Sequence, residues 1–378
     1  MTIAAPSVHA CTPMSRLDTT SADATTLRVP GERLLSFGGC NYLALAHHPR
    51  VVAAMTDGAA RYGLSAGASR ETTGNTRAHD ELEAALAERL GLDAAIVLPE
   101  GFTANLALMQ ALAPEHATCV IDERSHISMH HSAAMCAIEA TLFAHRDAEA
   151  AARALRDAGA RLILTDGVFT ADGAVAPVRE HLGVLPADGL LVVDDCHGFG
   201  VLGPRGAGTV AQAAINDPRV IVTSTLAKAI GAYGGFVAGP ARVIERIRAA
   251  SSVYRCTTGL PPGIAMAAHE ALRVIDEEPE RLARVASLAD RLRSALRALG
   301  VSLIDTPSPI FAFTLDPAPL MRTVHDELRA AGILAPLIEY PGGPAPIFFR
   351  LILTAEHTPR DVDVLVDMLS GVMRRALA

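Results

Sequence analysis

The stretch LLVVDDCHGFG (190–200) joins an apolar run to a polar turn that contains glycine. A short apolar run bounded by turn residues is typical of a strand buried on both faces, as in a parallel sheet covered by helices. Similar runs occur at AAIVL (94–98), TCVI (118–121), RLILT (161–165) and VIVTS (220–224). Helical stretches separate most of them, such as AHDELEAALAERLG ending at Gly91 and AEAAARALRDAG ending at Gly159. The alternation predicts an α/β domain built on a mostly parallel sheet.

The alternation of apolar runs and helical stretches does not continue after about Leu260, and it is also absent near the N-terminus. Pro279 begins a helix with a regular leucine face, and the runs PIFAFT and IFFRLILT are followed by a final helix from about Pro359. These elements predict a smaller α+β C-terminal domain. The first 33 residues or so are polar, contain several prolines and have no period, which predicts an irregular arm. We therefore expect an N-terminal arm (1–45), a large α/β domain (46–257) and a small domain (258–378).

Composition excludes several functions. The chain has 378 residues, a net charge of −8 and no Lys/Arg run that would neutralise phosphates, which argues against binding to nucleic acid. Apolar residues never run long enough for a membrane span, and no signal peptide is evident. The six cysteines include no CxxC pair, a pattern that indicates reduced thiols and a cytoplasmic location.

Four polar features fall where predicted strands end. They are Asp194-Asp195-Cys196-His197, Lys228, PEGFTAN (99–105) and DERSHISMHH (122–131). Each has an ordinary explanation, because a strand-end Asp often caps a helix and a lone lysine usually reaches solvent. The HxxxHH spacing lacks a nearby third ligand of known pattern, so no metal site is predicted. Ligands of doubly wound sheets lie beyond the carboxyl ends of the strands, however, so the four features are expected to meet.

Together these features fit pyridoxal 5′-phosphate (PLP) chemistry. A desolvated lysine forms a Schiff base, a carboxylate holds a pyridinium N–H, and amides at a helix N-terminus hold a phosphate. A histidine can lie over the ring. No single member of this set indicates PLP by itself, whereas the combination is specific for it.

The order and spacing of the motifs also resemble one family, the α-oxoamine synthases among the fold-type I PLP-dependent transferases. The resemblance covers about Phe37 to the last helix, and its motifs are VVDDCHGFGVLGPRGAG (192–208), TSTLAKAIGAYGG (223–235), RSHIS (124–128), PEGFTAN and FRLILTAEHT (349–358). It implies a mostly parallel seven-stranded sheet in the large domain.

The resemblance assigns the groups around the cofactor ring. Lys228 would bond to the cofactor as an imine and later accept the proton from the Cα of the amino acid. Asp194 would pair with the pyridine nitrogen, and His126 would stack on the ring. His197 would hydrogen-bond to the 3′-oxygen of the ring, and Thr170 replaces a family Ser near the same oxygen.

It also assigns the phosphate and substrate contacts. The Gly101 and Phe102 amides and the Thr225 hydroxyl would hold the phosphate. Thr258 matches the position that reaches the phosphate of the partner subunit, which implies a homodimer with shared active sites. Arg350 would bind the α-carboxylate of the amino acid, a task suited to its two-pronged guanidinium.

The sequence departs from the family at several of these positions. Cys40, in GCNYLAL, stands where an Asn usually touches the bound amino acid; this either favours another amino acid or is compensated by Asn41. Glu100 replaces the usual Ser before the phosphate-binding Gly, and charge repulsion predicts that its side chain turns away. His130 and His131 replace commonly acidic and small residues, so they either tune the acyl pocket or lie at the surface.

The implied reaction is a PLP-dependent decarboxylative condensation of an α-amino acid with an acyl thioester, giving an α-aminoketone. The arm lacks a basic amphipathic helix, so the donor stays open between acyl-CoA and an acyl carrier protein. One alternative is an aldolase or aminotransferase on the same fold, which the pairing of His197 with SHIS disfavours. A non-catalytic partner subunit is another, and the presence of Lys228 argues against it.

Overall fold

The computed structural model describes residues 17–377; residues 1–16 of the expected arm, with Cys11, and Ala378 lie outside the described residues. The helices are α1 (Pro49–Tyr62), α2 (Arg77–Leu90), α3 (Gly101–Leu112), α4 (Ile127–Met135), α5 (Ala148–Ala158), α6 (Val178–Val184), α7 (Thr209–Gln212), α8 (Ala241–Ala250), α9 (Ser252–Cys256), α10 (Pro262–Glu277), α11 (Glu280–Ala298), α12 (Pro319–Ala330) and α13 (Pro359–Leu377). The strands are β1 (Ser21–Ala22), β2 (Thr26–Val29), β3 (Glu32–Ser36), β4 (Ala94–Leu98), β5 (Thr118–Asp122), β6 (Glu139–Phe143), β7 (Leu162–Asp166), β8 (Leu190–Asp194), β9 (Val220–Thr225), β10 (Gly235–Gly239), β11 (Ile310–Phe313), β12 (Ile333–Leu334), β13 (Leu337–Ile338) and β14 (Phe348–Ile352).

A seven-stranded sheet carries the large domain, in the order β4-β10-β9-β8-β7-β5-β6. Only β10 runs antiparallel to its neighbours, so the predicted mostly parallel sheet is confirmed. The five runs identified in the sequence are β4, β5, β7, β8 and β9. The sequence missed β6, a partly exposed edge strand, and β10, whose glycines at both ends weaken the strand signal.

Both faces of this sheet are covered. Along β8, Leu191 and Val193 belong to the core cluster on one face, while Leu190 and Val192 belong to the cluster on the other. All four side chains are buried, as expected of successive residues that point to opposite sides of a strand. Double burial explains why the strand is a continuous apolar run and not an alternating one.

Glycines end the two helices that the sequence predicted between strands. Gly91 follows α2 with φ 64°, and Gly159 follows α5 with φ 59°, both in the left-handed region that favours glycine. At the other end of α2, Thr76 and His79 form a reciprocal capping box.

The small domain packs α11, α12 and α13 against an antiparallel sheet with the order β11-β14-β13. The leucine face predicted after Pro279 is the buried face of α11. Leu288, Leu292 and Leu296 lie in the core of this domain, while Val285 packs into the core cluster of the large sheet. No helix in the described part of the chain has the length and apolarity that a membrane crossing requires.

The expectation of an irregular arm is wrong for its described part. β2 and β3 form an antiparallel hairpin around Pro30-Gly31, and β3 pairs in parallel with β12 of the small domain. Leu34 is buried there against Val29 and Leu334. The pairing depends on a strand about 300 residues away, which no local pattern shows.

Helix α10 packs on α1 and α2. Its buried alanines share a core cluster with residues of α2, and it crosses α1 so closely that a Cβ on Gly58 would lie 2.4 Å from the Cα of Gly263. The predicted domain limits at residues 45 and 257 stay a prediction.

Candidate active site

A cavity of about 250 Å³ opens at the carboxyl edge of the central sheet. The ends of β4, β5, β7, β8 and β9 all contribute to it, as the positions of the polar features predicted. Of the twelve predicted site residues, eight line the cavity: Gly101, Phe102, His126, Thr170, Asp194, His197, Thr225 and Lys228. The other four, Cys40, Asn41, Thr258 and Arg350, are not among its lining residues.

Lys228 is half-buried and points its amine at His197. The Nζ atom lies 2.9 Å from Nε2 of His197, and Nδ1 of the same ring lies 2.7 Å from the hydroxyl of Tyr42. An ammonium can only donate hydrogen bonds, so Nε2 of His197 accepts one from Lys228, and Nδ1–H donates one to the Tyr42 hydroxyl. The imidazole is therefore held in one orientation from both sides.

The pKa of His197 is held well below its ordinary value, first by burial and then by the charge of Lys228. Burial acts in this direction because it disfavours the charged form of an imidazole. A neutral His197 retains one donor and one acceptor, which is the state that the contacts with Lys228 and Tyr42 require.

Asp194 ends β8 and faces the cavity. Its Oδ2 accepts a hydrogen bond of 2.7 Å from Nδ2 of Asn105, and its Oδ1 accepts one of 3.2 Å from the Cys196 amide. Asn105 is itself buried, and its Oδ1 accepts from the Thr223 hydroxyl at 2.7 Å. The carboxylate is thus oriented by a side chain from α3 that is anchored to β9.

The neighbouring Asp195 has a different task. Its carboxylate accepts from the Thr209 amide at 2.7 Å and from the Thr209 hydroxyl at 2.5 Å. Gly208 has φ 92°, and a Cβ there would lie 1.9 Å from Oδ2 of Asp195. Burial raises the pKa of Asp195 to about 6. Asp195 therefore holds the glycine-rich turn together, and only Asp194 faces the cavity.

His126 immediately precedes α4 and lines the cavity. Its Nδ1 is 2.8 Å from the Ser128 hydroxyl, which also accepts a hydrogen bond of 2.9 Å from Nδ2 of Asn105. Burial lowers the pKa of His126 below its ordinary value. One Asn105 amide therefore links His126, through Ser128, to Asp194.

A second carboxyl group, Asp166, lines the cavity beside Asp194. The two residues are directly paired across β7 and β8, and Oδ1 of Asp166 accepts from the His126 amide at 2.9 Å. The pKa of Asp166 is raised well above its ordinary value, first by burial and then by Asp194. Two facing buried carboxyl groups cannot both keep their charge at low cost, and the raised pKa of Asp166 favours its neutral form.

The first turn of α3 forms one wall of the cavity. A Cβ on Gly101 would lie 3.0 Å from Cβ of Thr225, so the helix start and the end of β9 approach closely only because residue 101 is glycine. The expectation that Glu100 turns away is wrong. Its carboxylate accepts from the Phe102 amide at 2.9 Å and from the Thr103 amide at 2.7 Å, because it caps the helix.

Arg350 comes from β14 of the small domain and lies close enough to affect the pKa of His197. Its terminal nitrogen is 4.0 Å from the Cys40 sulfur, and its buried Nε has no hydrogen-bond partner among the described residues. Asn41 uses its carboxamide oxygen to accept from the Ala46 amide at 3.3 Å. Guanidinium donors at Arg350 are thus left for an incoming anion.

The remaining predicted residues occupy different surroundings. Thr170 lines the cavity and hydrogen-bonds to Tyr340 of the small domain. Thr258 is exposed. His131 packs edge-on against Phe102 with ring centroids 6.2 Å apart, while His130 hydrogen-bonds to the backbone of Ser125.

Known proteins are similar to this chain over most of its length. The family model for aminotransferase class I and II matches residues 32–369. The 8-amino-7-oxononanoate synthase of Thioalkalivibrio sulfidiphilus is 36% identical over 352 residues, covering 92% of this chain and 90% of the relative. The same-named enzyme of Hahella chejuensis is 36% identical over 360 residues, covering 94% and 91%. The solved serine palmitoyltransferase of Sphingomonas wittichii superposes with a TM-score of 0.88 at 27% identity, covering 97% of this chain and 92% of that one.

The chain belongs to the α-oxoamine synthase family. It is a PLP-dependent acyltransferase, with the fold-type I architecture that its motifs implied. Its reaction is the decarboxylative condensation of an α-amino acid with an acyl thioester.

The cavity of this α-oxoamine synthase fits PLP on its own chemistry. It combines a lysine amine, a carboxylate held by Asn105, two imidazoles with lowered pKa values, and a helix N-terminus that already binds one anionic group. When bound there, PLP supplies an electron sink for the bonds of the amino acid's Cα.

Sequence reasoning missed three residues that the structure places in or next to the cavity wall. Tyr42 and Asn105 lie inside motifs that were recognised, in GCNYLAL and PEGFTAN, but their partners are distant in sequence. Asp166 ends a predicted strand, and its position beside another strand-end Asp was the available signal.

Proposed function

We propose that Lys228 is the residue to which PLP is bonded and that its amine moves the proton at the Cα of the amino acid. The observation that carries the proposal is the 2.9 Å contact between Lys228 Nζ and the neutral His197 ring inside the cavity. A neutral His197 accepts hydrogen bonds at Nε2 and does not repel an ammonium that forms beside it. His197 thus orients the amine that performs the proton transfer.

The remaining cavity residues bind and orient the cofactor ring. Asp194, fixed by Asn105, keeps the ring nitrogen protonated, which makes the ring an electron sink. His126 stacks on the ring, fixed in orientation by Ser128. His197 and Thr170 supply hydrogen bonds at the 3′-oxygen.

The phosphate lies at the start of α3, where the Gly101 and Phe102 amides and the Thr225 hydroxyl are available as donors. Thr258 contributes to the phosphate site of the partner subunit, so the working unit is a homodimer. Two observations support this assembly: Thr258 is exposed on its own chain, and so are the large apolar side chains of Leu64 (84%) and Met135 (69%).

Arg350 binds the α-carboxylate of the amino acid, with Cys40 and Asn41 next to it. The support is the half-buried guanidinium, whose buried Nε has no partner among the described residues. A planar guanidinium makes two parallel hydrogen bonds to a carboxylate, which fixes the Cα bonds relative to the ring.

The products follow from the atom balance. The Cα of the amino acid gives its proton to the Lys228 amine and forms a bond to the thioester carbonyl carbon; the C–S bond breaks, and the thiolate takes up a proton and leaves as a thiol. The carboxylate departs as CO2, and a proton takes its place at Cα. The product named for the curated relatives, 8-amino-7-oxononanoate, ends in a carbon that bears an amine and a methyl group. Alanine without its carboxylate supplies that end, and a seven-carbon dicarboxylic acyl group supplies the rest. We propose this pair as substrates, with CoA or an acyl carrier protein as the thiol.

The described cysteines are free thiols: Cys40, Cys119, Cys136, Cys196 and Cys256. This state supports a reducing compartment, and we propose the cytoplasm as the location.

The test compares the purified protein with Lys228→Ala. Borohydride reduction in the presence of PLP should label Lys228, as peptide mapping will show, and the variant should not be labelled. Thiol release should require both amino acid and thioester, and should be fastest with alanine among glycine, alanine and serine. Labelling without thioester-dependent thiol release would favour an aldolase or aminotransferase. No labelling at all would indicate a non-catalytic subunit.

A further inference from the structure

The N-terminus of α3 already holds an anionic group of this chain. The Glu100 carboxylate accepts from the Phe102 amide through one oxygen, at 2.9 Å, and from the Thr103 amide through the other, at 2.7 Å. Glu100 also lines the cavity. The Phe102 amide is one of the donors that the proposed function gives to the cofactor's phosphate.

Two anions cannot share these donors. The positive end of a helix favours one negative group at its first turn, and a carboxylate beside a phosphate is repelled by it in a partly buried site. We propose that Glu100 is an internal ligand of the phosphate-binding helix N-terminus, which PLP must displace, so that Glu100 sets the affinity of the enzyme for its cofactor. This inference rests on the proposed function, which places the phosphate at this helix start.

The surroundings allow the side chain alone to move. The backbone oxygen of Glu100 accepts from the Ala104 amide at 3.1 Å and from the Thr103 hydroxyl at 3.0 Å. A Cβ on Gly235 would lie 2.4 Å from the same oxygen, so β10 packs directly on it. The main chain is therefore fixed, whereas the half-buried carboxylate can rotate towards solvent without unwinding the helix.

The chemistry of the residue type explains why Glu differs from Ser here. A serine hydroxyl caps a helix and can also donate a hydrogen bond to a phosphate, so it serves both partners at once. An ionised carboxylate only accepts, and it brings a negative charge. Glu100 thus stabilises the empty helix start at the expense of phosphate binding.

The experiment titrates cofactor-free wild type, Glu100→Ser and Glu100→Gln with PLP and with pyridoxal, which lacks the phosphate. We expect both variants to bind PLP about two- to thirtyfold more tightly than wild type, the range that follows from the energy of an anion at a helix N-terminus. Pyridoxal affinity should change less than about twofold. Inorganic phosphate should compete with PLP more effectively in the variants.

Glu115→Gln is the matched control, because it removes the same charge near the other end of α3 and should leave PLP affinity unchanged. Thermal unfolding of the cofactor-free proteins checks that Glu100→Gln keeps the fold. The inference is overturned if both Glu100 variants bind PLP no more tightly than wild type, or if pyridoxal gains as much as PLP. In either case wild type still loads PLP on Lys228, and the proposed function stands. If neither wild type nor the variants bind PLP, the proposed function fails, and the inference fails with it.

Discussion

Asn105 donates its side-chain N–H to Oδ2 of Asp194 at 2.7 Å, across 89 positions of sequence. The same amide nitrogen donates to Ser128, and the amide oxygen accepts from Thr223. One buried side chain therefore ties the carboxylate to the histidine segment and to the strand that leads into the lysine loop. A charge-assisted hydrogen bond of this kind fixes the carboxylate more firmly than the strand end alone could.

Replacing Asn105 by Leu should weaken PLP binding about tenfold to a hundredfold. A lost hydrogen bond to a charged group costs about 1.5–3 kcal/mol, and each 1.4 kcal/mol is about a factor of ten in affinity. PLP titration of the cofactor-free protein measures the effect. Gln110→Leu, on the same helix but bonded to Ser251 and Ser252, should bind PLP as wild type does. Equal affinities for Asn105→Leu and wild type would show that Asp194 needs no such support.

Replacing Tyr42 by Phe should lower kcat about tenfold to a hundredfold, less than the roughly 10²- to 10⁴-fold contributed by a group that itself transfers the proton. Without the hydroxyl, Nδ1 of His197 loses its 2.7 Å partner, and the ring is free to rotate away from Lys228. PLP content and the KM for the amino acid should stay near wild type. Steady-state kinetics on the PLP-loaded enzyme test this, with the exposed Tyr62→Phe as control. A large rise in KM at unchanged kcat would contradict the orienting role.

The two carboxyl groups that face each other across β7 and β8 should respond differently to amidation. Burial and Asp194 raise the pKa of Asp166 well above the ordinary value, which favours its neutral form, so Asp166→Asn should alter the charge of the site less than Asp194→Asn. The PLP affinity of Asp166→Asn should stay within about threefold of wild type. Asp194→Asn removes the charge that keeps the ring nitrogen protonated and should lower kcat by more than about a hundredfold. Matched losses in the two variants would overturn this assignment.

Arg350→Lys should raise the KM for the amino acid about tenfold to a hundredfold with little change in PLP content. A lysine offers a point charge where a two-pronged guanidinium made two hydrogen bonds, and such a swap is not conservative. Cys40→Asn tests the neighbouring position, 4.0 Å from Arg350. It should shift the order of preference among glycine, alanine and serine in spectral titrations, while the exposed Cys256→Ser should not. An unchanged order would exclude Cys40 from the amino acid site.

His181 should make the protein less stable in mild acid. Its ring is fully buried beside Phe143, neither ring nitrogen has a partner among the described residues, and burial lowers its pKa below the ordinary 6.5. Between the folded and unfolded pKa values the unfolded chain binds more protons. Stability is therefore complete above about pH 6.5 and falls as the pH drops through the folded pKa.

Urea unfolding of wild type and His181→Phe at pH 7.5 and 5.5 tests this point. The variant should gain stability relative to wild type on going to the lower pH, by up to about 1.4 kcal/mol, because pH 5.5 lies one unit below the ordinary pKa of 6.5. The exposed His47→Phe should show no such change. A relative stability of His181→Phe that does not vary with pH would contradict the prediction.

Features that a short segment encodes by itself were predicted correctly, whereas features that depend on distant segments were missed. β4 and β8 were predicted to the residue, because a doubly buried strand is a continuous apolar run. β6 was missed because most of its side chains are only partly buried at the edge of the sheet, so its sequence is not a continuous apolar run. The hairpin at Pro30-Gly31 has a local turn signal, yet its burial comes from β12 of the other domain.

Glu100 shows the same limit within the site. Its identity and its place before a helix were readable, and repulsion from a phosphate was the natural expectation. The direction of its side chain was decided by two free amides at the start of α3, which attract a carboxylate more strongly than solvent does.

By itself, the sequence determined the alternating α/β pattern, the family and the residue types that gather at the strand ends, because apolar runs and ordered motifs are local properties of the chain. The tertiary structure alone decided which of them touch. Tyr42 meets His197 across 155 positions, and Asp166 faces Asp194 only because β7 lies beside β8. Strand order and the packing of α3 on the sheet set these contacts, and they arise from the burial of the whole core and not from any one segment.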